Sequence, residues 1–191
     1  MKIYPRWFHI GATGSIINPA TRPIIAGISN LARTGLALYG YSSYSIDLSL
    51  ITQDDATRHL KPALTLITKI TQIKKVSKGE KLGYEGTFTA KEDMIIGVLP
   101  IGYYDGVDRR LSNKGIFLVN NIPCPLLGKV SMNVNIIDIS KVPNPKIGQE
   151  VVVYSSNPSD KNSLINATKI CKTIPYDLLV NLAETTRRVI V

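Results

Sequence analysis

Tyrosine is the residue type whose placement most invites a chemical reading: nine occur against three phenylalanines and one tryptophan. Gly83-Tyr84-Glu85-Gly86 and Gly102-Tyr103-Tyr104-Asp105-Gly106 set phenols where the backbone can turn sharply and present them at a strand end. A phenol with an ordinary pKa of about 10 works as a base only beside a cationic or hydrogen-bonding neighbour, which sequence does not display. The same placement suits an amphipathic ring that covers a turn. Two other stretches suit an anion. His9-Ile10-Gly11-Ala12-Thr13-Gly14-Ser15 is a small-residue loop with hydroxyls, and Ala32-Arg33-Thr34-Gly35-Leu36 sets an arginine ahead of an apolar run. Phosphate oxygens accept from such hydroxyls, N–H groups and guanidiniums. An arginine with its stem along apolar surface and its head in water is the plain alternative.

These residues need elements to hold them. Leu64 to Ile73 alternates apolar with polar residues, as a half-buried strand does. Tyr84–Ala90, Met94–Ile101, Gly115–Val119, Ile122–Leu127, Val134–Ile139 and Glu150–Tyr154 follow as strand candidates bounded by Gly, Pro, Asn or Asp, with Asn120-Asn121 as a hairpin turn. Six or seven short strands at near-regular spacing predict an antiparallel barrel or sandwich, a mainly β (α+β) domain. Beyond Ser155 the period changes: Ser159-Asp160 stand as a helix cap before Leu164, Ile165, Ala167, Ile170 and Cys171. Pro175 interrupts that helix, Tyr176–Ala183 suits a second, and Arg187–Val191 a terminal strand. Before residue 45 the chain is rich in Gly, Pro, Ser and Ile, and Leu36–Tyr41 reads as a buried strand or strand end. So little chain makes no complete domain, and Ser45–Leu60 reads as a linker.

At 191 residues and 44% hydrophobic, the chain has ample material for a core without staples. The longest nearly apolar run, Met94–Tyr104, is broken by Gly97, Pro100 and Gly102 and falls well short of the roughly 20 residues that span a bilayer. No apolar segment of signal-peptide type follows Lys2 and Arg6, so a cytoplasmic location is expected and no membrane. Cys124 and Cys171 show no metal-ligand spacing, so no metal is expected and both read as buried thiols. A net charge of +9 includes a basic stretch at Lys69, Lys74, Lys75, Lys78 and Lys81, but no aromatic ladder interleaves it, and no nucleic-acid partner is expected. A small anionic ligand remains compatible with that charge.

In order and spacing the motifs together resemble the C-terminal portion of alanine racemase, the pyridoxal-phosphate family that interconverts L- and D-alanine for peptidoglycan. The stretches are Arg33–Gly40 (RTGLALYG), Leu60–Leu64 (LKPAL), Lys78–Ala90 (KGEKLGYEGTFTA), Leu99–Gly106 (LPIGYYDG), Leu127–Asn133 (LGKVSMN) and Ile174–Asp177 (IPYD). The resemblance covers essentially the whole chain. It implies residues 1–55 as the last strands of a TIM-like (β/α) barrel and 56–191 as the family's β domain. It implies Tyr84 as the base on one face of the substrate, reaching the partner subunit's cofactor in a homodimer. Arg33 would face the pyridine nitrogen with His9 supporting it; Thr13, Gly35, Leu36 and Tyr176 would bind the phosphate. Met132 would meet the substrate carboxylate through its backbone, and Tyr103 would line the entrance. Thr13 stands where the family usually has Ser, Ala12 for Asn, and Asn133 for Asp. The family's Lys-Ala-Asn-Ala-Tyr-Gly-like motif, whose lysine holds the cofactor, has no counterpart here, which implies a missing N-terminal barrel supplied in cis or in trans. A non-catalytic or dimerising remnant and an unrelated basic β-barrel binding module are the other expectations.

Overall fold

The computed structural model describes residues 5–42 and 60–191. The chain divides into two units, Met1–Ala63 and Leu64–Val191. The boundary expected between residues 55 and 56, and nearly all of the expected linker, lie outside the described residues.

In the larger unit, seven strands form one antiparallel sheet: β3 (Leu66–Lys69), β4 (Gln72–Val76), β7 (Met94–Leu99), β8 (Ile116–Val119), β9 (Ile122–Leu127), β10 (Asn135–Asp138) and β11 (Glu150–Tyr154). The order is β3-β11-β8-β9-β10-β7-β4, so two strands consecutive in sequence occupy opposite edges. Ile70 and Thr71 explain how. The Ile70 N–H donates to Gln149 O at 2.9 Å beside β11, while the Thr71 N–H donates to Val98 O at 2.9 Å on β7. One bent length of chain therefore pairs with one edge by its first half and the other edge by its second, and the sheet curls to meet it. The alternation expected over Leu64–Ile73 is present, split at this bend.

The hairpin at Asn120-Asn121 follows from both residues taking positive φ, 50° and 62°, which matches a type I′ turn and the twist of paired strands. Pro123 and Pro125 sit within β9, where a missing N–H would ordinarily break a ladder. Here Leu126 N donates to Gly115 O, so the N–H positions of 123 and 125 face away from β8. On that other side β10 begins pairing only at Leu126 and Leu127. The inward side chains include Leu99, Phe117, Val119, Ile137 and Val151, each at most 1% exposed. Burying each such side chain stabilises the unit by roughly 1.5–3 kcal/mol. Val76, Ala90, Ile96 and Leu127 form a cluster under Leu82 and Phe88, which belong to a small hairpin of β5 (Lys81–Leu82) and β6 (Phe88–Thr89). Both cysteines are buried, as expected.

Four local expectations are corrected. Tyr84–Ala90 is not one strand: only Phe88–Thr89 is, because Gly83 and Gly86 turn the chain at positive φ before it. The first long helix, α3 (Leu164–Cys171), is capped by Ser163, whose hydroxyl accepts from Asn166 N, and not by Ser159-Asp160. Asp160 instead accepts from Ser155 Oγ and Asn157 Nδ2 inside the preceding loop. The second helix, α4 (Pro175–Val180), starts on its proline and is shorter than expected. Arg187–Val191 is exposed and joins no strand.

In the smaller unit, β1 (Gly11–Ala12) and β2 (Ala32–Arg33) pair in parallel, joined through α1 (Thr13–Ile17) and α2 (Arg22–Ile28). Parallel neighbours require such a crossover. The segment read as a buried strand at Leu36–Tyr41 is instead a 3-10 turn, Leu36–Tyr39, ended by Gly40 at φ 78°. The run is turned rather than extended: Gly40 takes the left-handed conformation that closes the turn, its N–H donating to Ala37 O, and a side chain there would stand 1.8 Å from Lys61 O.

Candidate active site

Tyr84 opens a tight turn, Tyr84–Gly86, and its side chain is 65% exposed. Backbone holds that turn from beneath. Gly83 rests on Gly128 so closely that a Cβ on either would lie 3.1 Å from the other's Cα. Asn113 fixes Gly128 in turn, accepting from Gly128 N at 2.7 Å through Oδ1 and donating its own N–H to Gly128 O. Glu85 forms an ion pair with Lys129. The Lys129 ammonium, with Arg109 further off, holds the Glu85 carboxyl below the usual carboxylate range.

The same segment carries Met132. Gly102 packs face-on against it: an added Cβ would stand 2.2 Å from both Ser131 O and Met132 O. Tyr103 N and Tyr104 N donate to those two carbonyls at 3.0 Å each, placing Tyr103 beside Met132, and both side chains are exposed. Asp105 Oδ2 accepts from Gly102 N at 2.8 Å and closes the turn, while the Arg109 guanidinium lies 6.0 Å over the Tyr103 ring. Gly128–Asn133 therefore supports both tyrosine turns, one at each end.

Tyr176 sits in the first turn of α4 and is exposed. Its neighbour Asp177 is gripped by Arg110 Nη2 at 2.5 Å, and the same nitrogen binds Asp108 Oδ2 at 2.5 Å. Thr173 Oγ1 donates to Asp177 as well, at 2.8 Å. The Arg110 guanidinium holds the Asp108 and Asp177 carboxyls below their usual range. Asp108 N in turn donates to the hydroxyl of buried Tyr154 at 3.2 Å. The loop bearing Tyr103 and the helix bearing Tyr176 are thus locked together. From sequence alone Asp108, Glu85 and Lys129 carry no assigned role, and the adjacent Arg109 and Arg110 read as solvated after a turn; the one local signal of the clamp is an Asp two residues ahead of Arg110, a capping pattern.

In the smaller unit, Thr13 is 2% exposed, and its hydroxyl accepts from Gly35 N at 3.2 Å and Ala37 N at 3.4 Å. Thr13, Gly35 and Leu36 are therefore gathered at one point, the start of the 3-10 turn. Arg33 lies two residues before Gly35 on β2, and His9 two before β1; both are exposed. Residues 5–42 contain no Asp or Glu and three arginines, a donor set that suits a phosphate dianion. Among the described residues no cluster of three His, Cys, Asp or Glu could hold a metal, and no helix is long and apolar enough to cross a membrane.

Residues 63–190 match the family described as the alanine racemase C-terminal domain. The alanine racemase of Borreliella burgdorferi (strain ZS7) is 41% identical over 187 residues, covering 98% of this chain and 46% of the relative. Among solved structures, the alanine racemase of Oenococcus oeni superposes with a TM-score of 0.84 at 26% identity, over 99% of this chain and 49% of that one. The enzyme of Bacillus anthracis with bound L-Ala-P gives 0.76 at 28% identity, over 95% and 44%. The chain spans about half the length of the relatives it matches.

Proposed function

Because this chain belongs to the alanine racemase family, we propose that it is the C-terminal portion of a pyridoxal-phosphate-dependent alanine racemase, with Tyr84 as the base on one face of the substrate. The observation that carries this reading is the segment Gly128–Asn133, which supports the turns of Tyr84 and Tyr103 and itself bears Met132. Racemisation needs proton carriers on opposite faces of one carbon, so a phenol on a stiffly backed turn answers half of the requirement.

Pyridoxal phosphate, when bound, supplies the electron sink that makes the α-proton of an amino acid removable. The donor-rich segment around Thr13, Gly35 and Leu36 suits its phosphate, with Tyr176 as a further donor. Arg33 would address the pyridine nitrogen, and a guanidinium, which does not give up its proton, leaves that nitrogen unprotonated. His9 would support Arg33. The Met132 backbone would receive the substrate carboxylate, and Tyr103 would line the way in.

The second base and the cofactor-holding amine would come from an N-terminal barrel joined in cis or in trans. Support for such a cover lies in the smaller unit, where α2 buries none of its residues and Trp7, Phe8, Ile10, Ile24 and Ile28 are all exposed. Parallel strands are found covered on both faces, and among the described residues these apolar side chains stay open to solvent. Two copies would associate so that each Tyr84 serves the other's cofactor, in the cytoplasm, making D-alanine for peptidoglycan. The test is Tyr84→Phe in an enzyme reassembled with a lysine-bearing N-terminal half. Racemisation in both directions should fall about 100- to 10,000-fold with the cofactor's absorbance retained. Near-normal turnover would sink the assignment.

A further inference from the structure

Glu85 occupies a position that its own side chain makes unfavourable. The turn runs through positive φ at Gly83 (75°), Glu85 (61°) and Gly86 (60°), a conformation two of these residues adopt freely and the third does not. Nothing in the turn's shape asks for a side chain at 85. What glutamate adds there is a carboxylate, and that carboxylate meets the ammonium of Lys129, the residue directly after the glycine on which Gly83 rests. Among the described residues the Tyr84 hydroxyl has no hydrogen-bond partner, so no hydrogen bond of its own fixes the direction of the phenol, which depends on the backbone that carries it. That backbone is pinned on one side by the Gly83–Gly128 contact and on the other by the ion pair. Strain of this kind persists where surrounding contacts over-determine it, and it concentrates at functional sites.

We propose that the Glu85–Lys129 ion pair is a latch that positions the Tyr84 phenol. Glu85 and Lys129 act through the turn and touch no reacting atom. The inference rests on the reading of Tyr84 as a proton carrier, since only then does the phenol's direction matter. The charged groups facing Glu85 are Lys129 and Arg109. Lys81, whose stem lies under Gly86, belongs to the same basic rim. An exposed ion pair contributes little to global stability, so its loss should show locally and leave the fold intact.

The test uses the full chain carrying fluorotyrosine, with the Tyr84 signal identified by its disappearance in Tyr84→Phe. In the parent chain that signal should shift with pH as Glu85 titrates, with a midpoint below the ordinary carboxylate value, and high salt should narrow it. Glu85→Gln and Lys129→Met should abolish the pH response and give the narrow signal of a mobile ring at low salt. Glu85→Gly is the decisive variant. It removes the strain, so a merely structural role predicts a turn at least as well ordered as the parent's, whereas the latch predicts the same loss of order as Glu85→Gln. The charge-swapped pair Glu85→Lys with Lys129→Glu should recover the broad, ordered signal. An unchanged Tyr84 signal in Glu85→Gly and Glu85→Gln would overturn the latch and leave the reading of Tyr84 standing. Full turnover by Tyr84→Phe in the reassembled enzyme would instead strike that reading.

Discussion

Gly102→Ala should be among the most damaging single-methyl changes this protein can receive, although Gly102 has an extended φ of −154° that alanine adopts readily. The cost comes from space. The new carbon would stand 2.2 Å from two carbonyl oxygens, Ser131 O and Met132 O, and both belong to backbone. Relief requires the Gly102–Tyr104 segment to lift by about 1 Å, and overpacking of this kind costs typically 1–3 kcal/mol. That movement breaks the hydrogen bonds from Tyr103 N and Tyr104 N, now 3.0 Å each, for about 1 kcal/mol apiece. Lifting segments and losing bonds are partly the same event, so the sum is about 2–4 kcal/mol. Urea unfolding of the full chain, followed by far-ultraviolet circular dichroism, measures it. Gly79→Ala is the control: its φ of 90° disfavours a side chain, but nothing lies within 4 Å, so it should lose only about 1–2 kcal/mol. A Gly102→Ala chain within about 0.5 kcal/mol of the parent would refute the argument that the Tyr103 turn is held by backbone contact.

Arg110→Met should cost about 1–3 kcal/mol at neutral pH, discounted for the guanidinium's exposure, because the mostly buried Asp108 carboxylate loses its cation. Asp108 and Asp177 have folded pKa values below their unfolded ones, so their contribution is present above about pH 4 and is lost as pH falls through the folded values. Stability measured from pH 7 to 3 should therefore fall less steeply in Arg110→Met; an unchanged slope would remove the clamp from the account. Limited proteolysis of the chain alone should cut within residues 5–42 before the seven-stranded unit, since α2 has no buried residue; the reverse order of cleavage would argue against an uncovered smaller unit. Thr13→Val, in the reassembled enzyme, should raise the dissociation constant for pyridoxal phosphate by about tenfold, the loss of one charge-assisted donor. Unchanged affinity would place the phosphate elsewhere.

The strands β7, β8, β9 and β11 were legible because each alternates or runs apolar between turn residues whose chemistry is local. Asn120-Asn121 alone specifies its hairpin through two positive φ values. Where the reading failed, turn closure or a competing partner intervened: the apolar run at Leu36 coils into a turn that Gly40 closes at positive φ, and Asp160 caps no helix because Ser155 and Asn157 claim its carboxylate. The candidate tyrosines were visible because glycines flank them. The ion pairs that brace them were not, since Glu85 and Lys129 stand 44 residues apart, and Arg110 and Asp177 67. Nothing at either end of such a pair marks it in advance.

The bend at Ile70-Thr71 also orders events in time. Chain emerging from a ribosome at roughly 5–20 residues per second delivers β4 and its partner β7 within seconds of each other. The other half of the same bent strand, β3, must wait for β11, about eighty residues later, and closing a loop of that length carries about 4 kcal/mol of entropy on simple chain statistics. Until Tyr154 is made, Leu66–Lys69 is an open edge with unpaired N–H and C=O groups. The polar partners of its apolar residues, Thr68 and Lys69, are what guard that edge against a neighbouring nascent chain. A sheet closed by its own first strand is finished only when its last strand arrives, so a chain interrupted before residue 150 would carry that open edge permanently.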